Sequence, residues 1–368
     1  MSDPLLFISA GDLSGDNAMA RVLAELADRK PGLRTIGLGG EKLKALGQNQ
    51  LAHGKEIAVI GFWEVAKRYR FFVRLMDRCV QEIERRRPAC IVLVDYPGFN
   101  LRLAKRVRHL KIPIVYYISP QVWAWGGKRV GEIRSLVDRM LVILPFETEF
   151  YRDTGVQAEF VGHYLLEDIP AELIRSPIPR RGQIALLPGS RPQEIERMLD
   201  PICRAAARFN QAHHAHAVIA GIRGRYDYEA AVAKYASSGI SVSYDDSRQV
   251  VGDSDLVVTA SGTATLEVGI IGRPMVIVYR TGFLTYHIAR RLLKIDTIGL
   301  VNLVLGEKVA PELIQQDVTE QRILEELELI HHDPSRTRDM IERLHRIPER
   351  LAAPPGSRRA AEIIESYL

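Results

Sequence analysis

Leu5-Leu6-Phe7-Ile8-Ser9-Ala10, running into Gly11-Asp12-Leu13-Ser14-Gly15-Asp16, decides the fold class. A short apolar run ends in a glycine-containing turn, and a helical pattern opens directly behind it. The same unit recurs along the chain. Apolar runs at 35–38, 90–95, 112–118, 140–144 and 158–161 alternate with longer helical patterns, and those at 183–187, 215–220, 240–244, 256–259 and 274–278 repeat the rhythm. Strand then crossover helix, many times over, is the signature of a parallel sheet covered by helices. Two such series predict an α/β chain of two Rossmann-like domains facing a central cleft, with ligands where both sheets present their strand C-termini.

The 368 residues are enough for two cores of ordinary size. Residues 163–182 contain Pro170, Pro177, Pro179 and Gly182 without sustained periodicity and read as the connection between domains. The division expected is therefore 1–165, 166–345, and a C-terminal helical segment 346–368 that includes the break Pro354-Pro355-Gly356. A composition 46% hydrophobic and 26% charged excludes disordered and collagen-like chains. No run approaches the roughly 18 apolar residues of a membrane-spanning helix, and no basic leader precedes Leu5, so a cytoplasmic protein is expected. Cys79, Cys90 and Cys203 are odd in number and far apart, which suggests neither a disulfide framework nor a zinc site, only small buried apolar residues. The net charge of +5 favours an anionic partner, and charge alone does not choose among phospholipid, nucleotide and nucleic acid.

Chemistry concentrates where strands end. In Gly11–Asp16, glycines allow close backbone approach and the helix N-terminus favours negative charge, making Ser14, Gly15 and Asp16 ligand candidates. The spacing is not G-x-G-x-x-G, so a dinucleotide is disfavoured, and Asp16 can equally serve only the helix dipole. Asp95, closing the apolar run Ile91–Val94, is placed to take a proton from an attacking hydroxyl, although Asp before Pro-Gly also caps turns. Leu187-Pro188-Gly189-Ser190-Arg191 offers a Gly-Ser turn and a guanidinium to a diphosphate; the alternative is an Arg191 surface pair with Glu194 or Glu196. In Ser261-Gly262-Thr263, hydroxyls and amides open another helix, and Glu267 lies on the same face as Thr263, suited to a ribose diol. Here too simple helix capping is the competing reading.

Other features point elsewhere. Asp253-Ser254-Asp255 resembles a D-x-D metal signature but precedes its strand, so it reads as a solvated turn and no metal or other cofactor is expected. Trp123 and Trp125 follow a strand beside Lys128 and Arg129, suited to an apolar ligand or to core packing. Residues 63–78 and 279–294 each mix basic with apolar and aromatic side chains, a pattern that fits a membrane surface or, singly, a buried helix with a solvated face.

These runs, taken in order, resemble the lipid-A-disaccharide synthase family. The resemblance is carried by Ser14-Gly15-Asp16, Gly39-Gly40, Gly61 with Glu64-Val65, and Asp95-x-Pro-x-Phe99-Asn100, then by Ser119-Pro120-x-Val122-Trp123-Ala124-Trp125 and Pro145-Phe146-Glu147. It continues through Phe160–His163, Leu187–Arg191, Ala260–Glu267, Pro274-Met275-Val276 and Asn302-Leu303. The resemblance implies a GT-B fold, a C-terminal helix crossing back to the N-terminal domain, and an inverting, cofactor-free transfer from UDP-2,3-diacylglucosamine to 2,3-diacylglucosamine 1-phosphate. By matching position it makes Asp95 the base and gives Arg191 with Ser190 the donor diphosphate. Ser261, Gly262, Thr263, Glu267 and Asn302 then fall to the donor nucleotide, and Ser14, Gly15, Asp16, Asn100, Trp123 and Trp125 to the acceptor side. It also implies peripheral contact with an anionic membrane and no nucleic acid, and leaves assembly into homo-oligomers open. The chain departs from the family in having Asp12 where Glu is usual and Val301 where Pro is usual. The alternatives are another UDP-sugar enzyme of the same fold, such as a UDP-N-acetylglucosamine epimerase or a different lipid-linked sugar transferase, and a non-catalytic nucleotide-sugar-binding protein. The Trp pair with the basic stretches argues against the first, and retention of Asp95 and Arg191 against the second.

Overall fold

The computed structural model describes residues 3–53, 57, 69–125, 128–282, 297–352 and 356–368. Two compact units divide the chain: Met1–Tyr164 with Leu351–Leu368, and Leu165–Arg350.

The first unit is built on β1 (Leu5–Ala10), β2 (Arg34–Gly39), β3 (Asn49–His53), β4 (Cys90–Val94), β5 (Ile114–Tyr117), β6 (Arg139–Val142) and β7 (Ala158–Phe160). They form one sheet in the order β3-β2-β1-β4-β5-β6-β7, and all pairs are parallel. The central strands are buried on both faces; every residue of β4 is inaccessible, which is why it reads as a continuous apolar run rather than an alternating one. The C-terminal helix Gly356–Glu365 belongs to this unit. It packs on the first helix, Leu13–Arg29, where Arg29 pairs with Glu362 and Glu365, and Arg359 pairs with Glu159 near β7.

The second unit has β8 (Gln183–Leu187), β9 (His216–Ala220), β10 (Ile240–Ser243), β11 (Leu256–Ala260), β12 (Met275–Tyr279) and β13 (Glu312–Ile314), ordered β10-β9-β8-β11-β12-β13 and again parallel throughout. The Pro-rich segment that opens this unit is packed onto it. Leu173 is buried against Gly252, and the Arg273 guanidinium, 1% exposed, donates to carbonyls of Ser176, Pro177 and Gly252. A buried guanidinium has several donors to satisfy, and carbonyls of an irregular segment supply the acceptors.

Strand order reverses between β1 and β4 in the first sheet and between β8 and β11 in the second. Such a reversal sends successive crossovers to opposite sides and leaves a crevice beyond the carboxyl ends of the two strands. The motif loops Gly11–Asp16 and Asp95–Asn100 flank the first reversal, and Pro188–Arg191 and Ser261–Thr263 flank the second. Asp253 and Asp255 lie at the opposite edge of the second sheet, where Asp253 pairs with Arg181 and Asp255 accepts from the Arg181 and Gly182 amides. All three cysteines are buried free thiols, and among the described residues no helix is long and apolar enough to cross a membrane.

Candidate functional site

In the first unit, Ala10 and Val94 are paired in register, so the turns after β1 and β4 begin side by side. Gly11 must be glycine there: a Cβ would lie 2.5 Å from the Tyr96 ring. Asp95 and Tyr96 both have left-handed backbones, φ 42° and 47°. Consecutive non-glycine residues in that region cost on the order of 1–3 kcal/mol each and persist only when the surroundings over-determine them. The surroundings here do so. The Asp95 amide donates to the Tyr117 carbonyl at 3.0 Å, and its carbonyl accepts from Asn100 Nδ2 at 2.8 Å and the Tyr116 hydroxyl at 2.6 Å. Asn100 also donates to the Val94 carbonyl and accepts from Ser9 Oγ at 2.6 Å.

The Asp95 side chain opens onto a cavity of about 440 Å³ that Pro97, Ser119, Pro120, Gln121 and Arg129 help to line. Burial pushes its carboxyl up to about 6, the Asp12 charge adds to the rise, and the Tyr96 amide opposes it. Asp12 itself caps the first helix, accepting from the Gly15 amide at 2.7 Å and from Ser14 Oγ at 2.9 Å. The wall of the cavity rests on a second buried acid. Glu147, 2% exposed, accepts from the Leu144 amide and from Trp123 Nε1, and burial raises it to about 8. Ser119, beside it, is hydrogen-bonded to the buried Tyr151 hydroxyl at 2.8 Å.

In the second unit, the helices Pro192–His213 and Thr263–Ile271 begin at the turns after β8 and β11, and neither is capped by its own N-cap side chain. Pro192 has no N–H and the Glu194 and Thr265 amides donate to the Arg191 and Gly262 carbonyls, so the amides left at the sheet edge to favour an anion are those of Gln193 in the first helix and of Thr263 and Ala264 in the second. Gly262, at φ 147°, has nothing within 4 Å of where a Cβ would stand, so its backbone faces open space. The turns line a cavity of about 470 Å³ together with Ser190, Thr263, Glu267, Arg223 and Tyr244. Glu267 is held by Arg248 at 3.1 Å through Oε1, and burial raises its pKa against that pairing. Ser261 donates to the Ile298 carbonyl at 2.9 Å.

The sequence candidates thus separate into two groups and a remainder. Ser14, Gly15 and Asp95 gather at the first reversal, and Ser190, Ser261, Gly262, Thr263 and Glu267 at the second. Three candidates are corrected by their hydrogen bonds. Asp16 is 1% exposed and accepts from the amides of Gly40, Lys42 and Leu43, so it anchors the turn after β2. Asn100 is fully buried and holds the Asp95 backbone. Asn302 is fully buried, and its amide group donates to the Ala310 carbonyl and Glu312 and accepts from the Val309 and Ala310 amides, leaving nothing for a nucleotide. Trp123 packs edge-on against Phe146 with its N–H committed to Glu147. The side chain of Trp125 and residues 61–68, 283–296 and 353–355 lie outside the described residues. Arg191, 58% exposed, pairs with Glu194 at 3.2 Å beside the second cavity. Arg223, stacked 4.7 Å over the Tyr244 ring, lines that cavity and is not among the candidates the sequence offers. Its one signal was the Gly221-Ile222-Arg223 turn behind an apolar run.

The model of the family described as lipid-A-disaccharide synthetase matches residues 6–360. A lipid-A-disaccharide synthase of Myxococcus xanthus is 38% identical over 374 residues, covering 99% of this chain and 98% of its own. One from Anaeromyxobacter dehalogenans is 40% identical over 372 residues, covering 98% and 97%. Among solved structures, MurG of Acinetobacter baumannii superposes with a TM-score of 0.62 at 11% identity, covering 99% of each chain, a likeness of fold that places the two parallel sheets among the GT-B proteins. With its motif loops at both strand reversals and a family match running almost end to end, this chain belongs to the lipid-A-disaccharide synthetase family.

Proposed function

We propose that the chain joins UDP-2,3-diacylglucosamine to 2,3-diacylglucosamine 1-phosphate with inversion, releasing UDP and lipid A disaccharide 1-phosphate, and that Asp95 is the general base. The acceptor hydroxyl oxygen attacks the donor's anomeric carbon as the bond to the diphosphate breaks. The hydroxyl proton passes to the Asp95 carboxylate, and the diphosphate leaves with the electron pair. The observation that carries this reading is the Asp95 turn: a carboxylate on a cavity wall, in a backbone conformation that buried hydrogen bonds hold in place. With a pKa near 6 it stays mostly ionised at neutral pH yet is a stronger base than a free carboxylate.

In this reading the leaving diphosphate is met by the amides behind Gly189–Ser190 and Ser261–Thr263 and by Arg191, which must exchange Glu194 for phosphate. Preplaced dipoles and a guanidinium lower the barrier because they oppose charge as it develops. The free oxygen of Glu267 takes the ribose diol. Arg223, placed across the same cavity, joins Arg191 as a phosphate contact. The acceptor side comprises Ser14, Gly15 and the wall braced by Trp123 and Glu147.

The acyl chains require the protein to meet a membrane face. Support comes from the helix Tyr69–Arg86, where Arg70 and Arg74 are exposed beside Val73, 38% exposed. Arg280 is withdrawn from the basic set, since its guanidinium is spent on the Gln315 and Val318 carbonyls. Binding to anionic vesicles that weakens with salt is the outcome this predicts, and salt-insensitive binding would point to apolar insertion instead. The reaction itself is tested by incubating the purified protein with both acylated sugars and following UDP and disaccharide together. Equal amounts of the two support the assignment; UDP without disaccharide rejects it.

A further inference from the structure

The helices Pro192–His213 and Glu320–His332 pack along each other in the second unit. Arg208 meets Glu320 and Gln321, and five residues further along the first helix His213 meets Glu328, eight residues along the second, so the two run parallel and their C-terminal ends converge. At that end His213 Nε2 lies 2.8 Å from Glu328 Oε2, and His332 Nε2 lies 3.1 Å from the same oxygen. The three ligand atoms fall within 4.8 Å of one another.

We propose that His213, Glu328 and His332 form a binding site for a zinc-class divalent transition-metal ion. Ligand type is the first argument: two imidazoles and a carboxylate are the nitrogen and oxygen donors such ions prefer. Spacing is the second. Bonds of about 2.0–2.1 Å in tetrahedral geometry separate ligand atoms by roughly 3.3 Å, beside 2.8 and 3.1 Å from Glu328 to the two histidines and at most 4.8 Å across the set. Preorganisation is the third. Glu328 and His332 are one helical turn apart on one face. The His213 ring packs against both Phe209 and His331, at centroid distances of 4.4 and 4.3 Å. Converging helix C-termini add partial negative charge, which favours a cation. Access is the fourth, because His332 is 66% and Glu328 29% exposed, so an ion can enter and water can fill the remaining position.

The nucleotide turn lies at the other end of the helix Pro192–His213, roughly 30 Å away at 1.5 Å per residue. The metal therefore acts as a clip between two helices of this unit and takes no part in sugar transfer.

The test uses untagged protein freed of metal by chelator dialysis. Zn2+ is titrated against a chromogenic competing chelator, and Co2+ is used to read coordination geometry by visible absorption. One saturable site per chain is expected, with a tetrahedral Co2+ spectrum and a raised melting temperature. His332→Ala and Glu328→Gln each weaken Zn2+ by at least about tenfold, the scale of even outer-shell changes at such sites. His109→Ala, an exposed histidine in the first unit, leaves affinity unchanged. Absence of saturable binding, or wild-type affinity in both site variants, overturns the proposal.

Discussion

The two strand reversals solve different problems with different materials. At the first, a single carboxylate is fixed by strained, non-glycine backbone, and the strain is opposed by buried side chains: Asn100, Ser9 and Tyr116. At the second, glycines at φ 115° and 147° make the turns, and backbone amides of two helices with nearby arginines supply the charge. In the proposed reaction the first holds a proton acceptor, which must stand at one point, so one side chain carries that role and the support behind it is indispensable. A phosphate cradle spreads its work over many donors. The first site should therefore fail sharply and the second gradually.

That contrast can be broken in three ways, taken from the largest effect to the smallest. Asp95→Asn should stabilise the fold at neutral pH by up to about 3 kcal/mol, since a carboxyl raised from its ordinary value to about 6 pays for ionisation in the folded state. The sign follows from linkage: the native protein keeps this proton longer, so its stability is intact below about pH 4 and declines as pH rises through about 6. Urea midpoints of the two proteins should converge at acid pH and separate above it; no separation would mean Asp95 carries no strain of this kind. Asn100→Ala should cost about 2–3 kcal/mol by leaving buried partners unsatisfied, and should lower turnover while UDP affinity stays near wild type. If UDP affinity fell equally, the two sites would not be independent. Arg191→Ala should weaken UDP only about tenfold, at the low end for a charge-assisted contact, because the amides and Arg223 remain. Calorimetric titration with UDP measures this, and unchanged affinity would move the diphosphate contact to Arg223.

Much of this architecture was legible because β1, β4, β8 and β11 are buried on both faces and read as apolar runs closed by turn residues. The edge strands β3 and β13 were not. Asn49–His53 is largely polar and Glu312–Ile314 is three residues long, so neither carries a periodic signal. Strand order was not legible either, because pairing is a tertiary fact. The site residues divide along the same line. A Gly-Ser or Ser-Gly-Thr turn announces itself by conformation and composition. Asp16, Asn100 and Asn302 look like ligand contacts in the sequence because polar groups near strand ends can serve that role. Their partners are chiefly backbone groups of the same unit, reached across 24, 5 and 8 residues, joined by the Ser9 and Glu312 side chains, which no local pattern reveals. Arg223 went unread for the converse reason: only the pairing of β9 with β8 carries its turn to the cavity.

In the proposed reaction the Asp95 carboxylate removes a proton rather than binding substrate. The direct test is to measure turnover and UDP affinity on one preparation of Asp95→Asn. The expected result is a loss of about 10²- to 10⁴-fold in turnover with UDP affinity within about twofold of wild type. Retained turnover, or a parallel collapse of UDP affinity, would contradict the account.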